Sequence, residues 1–133
     1  MVSAARYVYL GLAVAFVVGL LVQVFYAGMG VFGASGFEVH IGLGWLLHLV
    51  PVLILIAAAV GRAGRRRITW SAALAATVFV VPILALMRAD APALAALHPV
   101  GAVISFWLAI VVARDAMSLR RPHVEPEPEP ASA

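Results

Sequence analysis

The stretch VHIGLGWLLHLVPVLILIAAAVG, residues 39–61, contains no Asp, Glu, Lys or Arg, yet it holds two histidines, His40 and His48. About 20 apolar residues, rising about 1.5 Å each as a helix, cross the roughly 30 Å of bilayer hydrocarbon. This stretch is therefore read as a membrane-spanning helix. Working outward, residues 7–37, 68–87 and 91–113 are equally free of charged side chains. The composition agrees: 65% of the 133 residues are hydrophobic and 11% are charged, against about 25% charged in a soluble domain. The fold expected is all-α, an integral membrane four-helix bundle of up-down topology, occupying residues 1–121 with spans near 5–27, 36–60, 69–87 and 91–117.

Orientation follows from the arginines, because the chain has no lysine and basic residues are retained on the cytoplasmic side of short loops. Arg6, Arg62, Arg65, Arg66, Arg67, Arg114, Arg120 and Arg121 fall on one side and Arg88 on the other. Both termini and the GRAGRRR loop are thus expected to be cytoplasmic, in a bacterial inner (plasma) membrane. The basic balance is explained by topology beside anionic lipid, so no nucleic-acid partner is inferred. The first uncharged run exceeds the roughly 7 to 15 residues of a signal-peptide core and no A-x-A site follows, so it is expected to be retained as a span. Without cysteine there are no disulfides, thiolate metal sites or cysteine nucleophiles.

Several boundaries can be read locally. GMGVFGASG formally contains G-x-G-x-x-G, but a dinucleotide site needs a strand before it and an acidic residue about 20 positions on; Leu53 stands there. It is read as a glycine-rich turn. Ser35 and Glu38 have capping-box spacing, which starts the second helix near Gly36. Pro51 is expected to bend that helix and Pro82 to kink the third. Asp90 and Pro92 are expected to open the fourth, with Pro99 bending it after His98. Gly11, Ala15 and Gly19, four apart, suggest a close helix contact. The tail 122–133, PHVEPEPEPASA, is expected to be a disordered Pro/Glu segment.

An ionisable group inside the bilayer is a functional candidate by default. Counting from the helix starts puts His40, His48 and His98 in the outer half or near the midplane. His40 and His48 lie about 80° apart around their helix, with Gly44 between them. One reading is a b-type haem between helices two and four, serving electron transfer. His98 would be one axial ligand and either His40 or His48 the other. Gly44 and Gly101 would admit the flat macrocycle, and Arg88 would neutralise its propionates. A second reading is zinc or copper on the three imidazoles, against which the depth spread argues. A third makes each histidine an interhelical hydrogen-bond donor, toward Gln23, Thr77 or Ser105, in a structural or accessory subunit of a larger membrane complex or homo-oligomer. The spans hold no carboxylate, which removes the serine-triad and glycosidase templates. Activity as an enzyme is not expected from so acid-poor a core.

The segments VQVFYAGMGVF, FEVHIGLGWLLHL and LHPVGA resemble a family of small bacterial four-helix membrane proteins known only as a domain of unknown function, over roughly residues 6–115. That resemblance implies the topology and no activity. The H-x-x-x-G portion, His40 to Gly44, is also similar to short segments of membrane b-type cytochromes.

Overall fold

The computed structural model describes residues 2–119. The expected proline-glutamate tail lies outside the described residues, as does His123. Six helices follow in order: α1 (Val2–Val31), α2 (Glu38–Leu47), α3 (Leu49–Val60), α4 (Arg65–Leu86), α5 (Pro92–Ala95) and α6 (His98–Ser118). No strand occurs among the described residues. Four segments are long and apolar enough to cross a membrane: Val2–Val31, Glu38–Val60, Arg65–Leu86 and Pro92–Ser118.

The second of these joins α2 to α3 through His48, whose dihedrals remain helical at φ −59° and ψ −32°. The interruption falls where Pro51, lacking an N–H, leaves the Leu47 carbonyl without its intrahelical donor. Pro82 lies inside α4, which continues past it to Leu86.

The ends of α1 and α3 are Schellman turns, in which the second residue past the cap bonds back five positions. At the end of α1, Gly33 takes φ +71°, Ala34 donates to Met29 O (2.9 Å) and Gly33 to Gly30 O (3.2 Å). At the end of α3, Arg62 takes the equivalent left-handed position with φ +47°. Ala63 then donates to Ala58 O (3.0 Å) and Arg62 to Ala59 O (3.1 Å).

Other expectations are corrected. Helix one does not stop near Ala27: Gly28 and Gly30 are helical, and only Gly33 turns the chain. The capping box is absent, because α2 begins at Glu38 behind Phe37 and the Ser35 hydroxyl donates to Gly36 O instead (3.1 Å). Asp90 does not cap the fourth span; Ala91 precedes α5 without a side-chain cap. Pro99 does not bend a running helix, since it sits in the first turn of α6, where its missing N–H costs nothing.

In packing, α1 contacts α3 and α6, while α4 contacts the same two helices from the other side, so the second and fourth spans lie diagonally across the bundle. The core fills one half only. Tyr9, Ala13, Phe16, Ile54, Ala58, Leu74 and Val112 are fully or almost fully buried there, around a Tyr9–Ser71 hydroxyl pair at 3.4 Å. Alanines on α3 and α6 let the backbones approach, which matters where lipid gives no hydrophobic drive. The expected Gly11–Ala15–Gly19 contact is realised at Gly19 alone, against Leu47; Gly11 and Ala15 are exposed.

The start of α1, residues 61–64 and the end of α6 share one end of the bundle, fastened by arginines. Arg6 Nε donates to Gly61 O (3.0 Å). Arg67 donates to Asp115 O (3.0 Å), Ala63 O (2.9 Å) and Ser118 Oγ (2.9 Å). Arg66 pairs with Asp115 at 2.5 Å. In the opposite half burial is sparse among the described residues, with Leu47, Val78 and Ser105 buried toward the midplane.

Candidate functional site

That loosely packed half contains all three intramembrane histidines. Each ring is held through Nδ1 by a main-chain carbonyl. His40 bonds Gln23 O of α1 (3.1 Å), His98 bonds Val81 O of α4 (2.9 Å), and His48 bonds Gly44 O one turn back in its own helix (2.6 Å). A carbonyl oxygen only accepts, so in all three the proton sits on Nδ1. In the neutral ring this leaves Nε2 as a lone-pair acceptor.

The structure brings together His40 and His98. Their ring centroids are 6.4 Å apart with planes at 77°. Phe37 covers the other side of His40, at 6.2 Å. Gln23 completes the surround: its Nε2 donates to His40 O (2.7 Å), so α1 and α2 are joined reciprocally, and its Oε1 is buried without a hydrogen-bond partner among the described residues. His48 is not part of this pair. It lies between Trp45 (5.5 Å) and Phe79 (5.8 Å), turned toward α4, with Nε2 buried and unpartnered among the described residues. The 80° between the two helix-two histidines has sent one toward α6 and the other toward α4.

The remaining candidates are placed differently from the expectation. The open side of Gly44 is taken by the Gln23 carboxamide, since a Cβ there would lie 2.8 Å from Nε2. Gly101 packs on Val81, whose methyl would lie 2.8 Å from an added Cβ. Both glycines therefore serve contacts with neighbouring helices. Arg88 is exposed in the turn after α4, with no side-chain hydrogen bond or ion pair among the described residues. Thr77 and Ser105 donate to Ala73 O and Gly101 O of their own helices, both at 2.9 Å, and not to a histidine. No group of three His, Cys, Asp or Glu able to hold a metal ion occurs among the described residues, so the three-imidazole zinc or copper reading finds no site. Sequence reasoning did not foresee that Phe37 would cover His40, nor that the Gln23 contact would run through its main-chain carbonyl; the only signal was that Gln23 is the one amide side chain in the spans.

The 6.4 Å centroid spacing of His40 and His98 is compatible with two imidazoles on a single iron. A metal bonded to one nitrogen of each of two imidazoles at about 2 Å spaces their centroids by about 6 Å. The Nδ1 bonds to carbonyls are the outer support such ligands use to fix tautomer and ring direction. The glycines do not supply the room a macrocycle needs. That room would have to come from the outer half itself, with Gln23 and Phe37 giving way.

Residues 23–89 match the model of a family of unknown function, DUF6220. The matched segment includes Gln23, His40, Gly44, His48, Val81 and Arg88. No curated protein and no solved structure matches the chain.

Proposed function

The chain belongs to the DUF6220 family of unknown function, and from that premise we propose that it is a small multi-pass membrane protein holding b-type haem between His40 and His98 for electron transfer. The single observation that carries this reading is the pairing of these two rings, each tied through Nδ1 and each left with Nε2 for a metal. The bound group would supply one-electron chemistry at the iron. The protein's own part is to present two neutral imidazoles at one depth, to hold their direction through the main-chain Gln23 O and Val81 O, and to keep water out with the lipid-facing apolar surface. Arg88, on the same end, is the cation available to the propionates. The arginine-rich end is taken as cytoplasmic, in a bacterial plasma membrane.

The test is the visible absorption spectrum of the detergent-purified protein after expression with added haem, oxidised and then dithionite-reduced. A Soret band that sharpens on reduction, lost in His40→Ala and His98→Ala but kept in His48→Ala, supports the reading. A featureless spectrum favours a second one. In it, His40 and His98 act only as interhelical hydrogen-bond donors, the role their present bonds already fill, in an accessory subunit of a larger membrane complex or homo-oligomer.

A further inference from the structure

A second feature lies at the opposite end of the bundle and is independent of haem. Val2, Ser3, Arg6, Tyr7 and Leu119 line an open depression of about 450 Å³. Arg6 is half-buried and its guanidinium is placed by the fold, because Nε donates to Gly61 O, the buried residue that closes α3. The position is fitted to that contact: a Cβ at residue 61 would lie 2.9 Å from Ala57 O and 3.3 Å from Arg6 Cγ. With Nε used, the two terminal nitrogens of Arg6 have no hydrogen-bond partner among the described residues. They also have no carboxylate, since the one ion pair among those residues is Arg66 with Asp115. A half-buried guanidinium in fixed orientation with two free donors is the geometry that takes a phosphate oxygen pair.

Its depth selects the source of the phosphate. α1 has 30 residues, or about 45 Å of helix against roughly 30 Å of hydrocarbon, so its first turns reach the headgroup layer. Beside the depression, Val2, Tyr7 and Val8 are 38%, 60% and 53% exposed, an apolar flank along which an acyl chain can lie. We infer that the depression around Arg6 and Ser3 binds the phosphodiester headgroup of an anionic phospholipid, with its acyl chain running down the outer face of α1.

The experiment uses the full-length protein in nanodiscs of phosphatidylcholine with increasing phosphatidylglycerol. Thermal stability gives the affinity, and native mass spectrometry counts the retained lipid. Arg6→Gln is expected to weaken phosphatidylglycerol binding by about tenfold or more, the loss of charge-assisted bonds. Arg62→Gln, which removes an equal but exposed charge at the same end, should weaken it by about fivefold or less. Arg6→Lys, keeping the charge without the fork, should fall between them and serves if Arg6→Gln does not fold. Equal losses at Arg6 and Arg62 would overturn the site in favour of general surface attraction. Displacement of the lipid by millimolar inorganic phosphate would overturn the lipid assignment in favour of a soluble anion.

Discussion

Gln23 and His40 bind each other's main chain: Gln23 Nε2 donates to His40 O at 2.7 Å and His40 Nδ1 donates to Gln23 O at 3.1 Å. The pair joins the first span to the second in the half of the bundle that has almost no buried core. It also aims the His40 ring at His98, so packing and site depend on one contact. Gly44 is what allows it, because the Gln23 amide occupies the place of a Cβ.

The first prediction is a coupling between Gln23 and Gly44. Gly44→Ala gains up to about 1 kcal/mol of helix propensity. It also pushes the Gln23 amide, the far end of a flexible side chain, off His40 O, losing about 0.6 to 2 kcal/mol. The two effects nearly cancel in the native background. In Gln23→Ala there is no bond to lose, so Gly44→Ala should stabilise by about 1 kcal/mol. Reversible unfolding of the four proteins of the cycle in detergent measures this, and additive effects would show that the amide does not occupy that space.

Arg62 is the second test. It holds φ +47° in a turn whose counterpart at the end of α1 uses Gly33. A left-handed backbone costs a non-glycine residue about 1 to 2 kcal/mol, part of which glycine returns through the greater freedom of its unfolded chain. Arg62→Gly should therefore stabilise by about 0.5 to 1 kcal/mol, whereas Gly33→Ala should destabilise by about 1 kcal/mol or more. Unfolding midpoints of both variants decide it.

The spans were legible in the sequence because uncharged length is a one-dimensional property. The pairing of His98 with His40 was one of two pairings that counting residues from the helix starts left open. What counting could not give was direction. Whether His48 faces α6 or α4 depends on helix packing, and Trp45 with Phe79 settled it toward α4. The glycines were misread for a related reason. Gly28 and Gly30 look like turn residues, but Gly30 leaves space inside a helix for the Phe37 ring, within 2.9 Å of where a Cβ would stand. Ser35 had the right spacing for a capping box, but the Schellman turn at Gly33 fixes the chain direction into α2 and draws the Ser35 hydroxyl to Gly36 O. The arginine fastenings were invisible because sequence shows charge, and their acceptors are mostly main-chain carbonyls.

Those fastenings give the third prediction. Arg67 donates to three acceptors on the 61–64 turn and α6, two of them carbonyls that retain it whatever the pH. Charge-assisted bonds of this kind make Arg67→Ala cost about 2 to 3 kcal/mol. Arg66 forms the ion pair to Asp115 with its own side chain 70% exposed, and such pairs contribute about 1 kcal/mol or less. Arg66→Ala should therefore be the milder variant, and raised salt should narrow the wild-type advantage over Arg66→Ala more than that over Arg67→Ala. Unfolding at two ionic strengths tests both statements, and equal costs would mean that Arg67 is held no better than a surface ion pair.

The fourth prediction separates the histidines by what each ring bond joins, one within its own helix and one between helices. His48 uses Nδ1 on Gly44 O, a carbonyl that also receives the His48 main-chain N–H at 3.2 Å. Replacing the ring by leucine thus strands no acceptor and removes a buried, unpartnered Nε2. Leaving such a group unsatisfied costs about 1 to 3 kcal/mol, so His48→Leu should be neutral or stabilising by about 1 kcal/mol after the lost ring contacts with Trp45 and Phe79 are counted. His98→Leu differs in kind. It breaks the interhelical bond from α6 to Val81 O of α4, and it removes one of the two facing rings. A loss of about 1 to 2 kcal/mol is expected. Thermal unfolding of the two variants in the same detergent gives the contrast, and a His48→Leu protein less stable than His98→Leu would mean that the ring between Trp45 and Phe79 carries the tertiary contact here assigned to the His40–His98 pair.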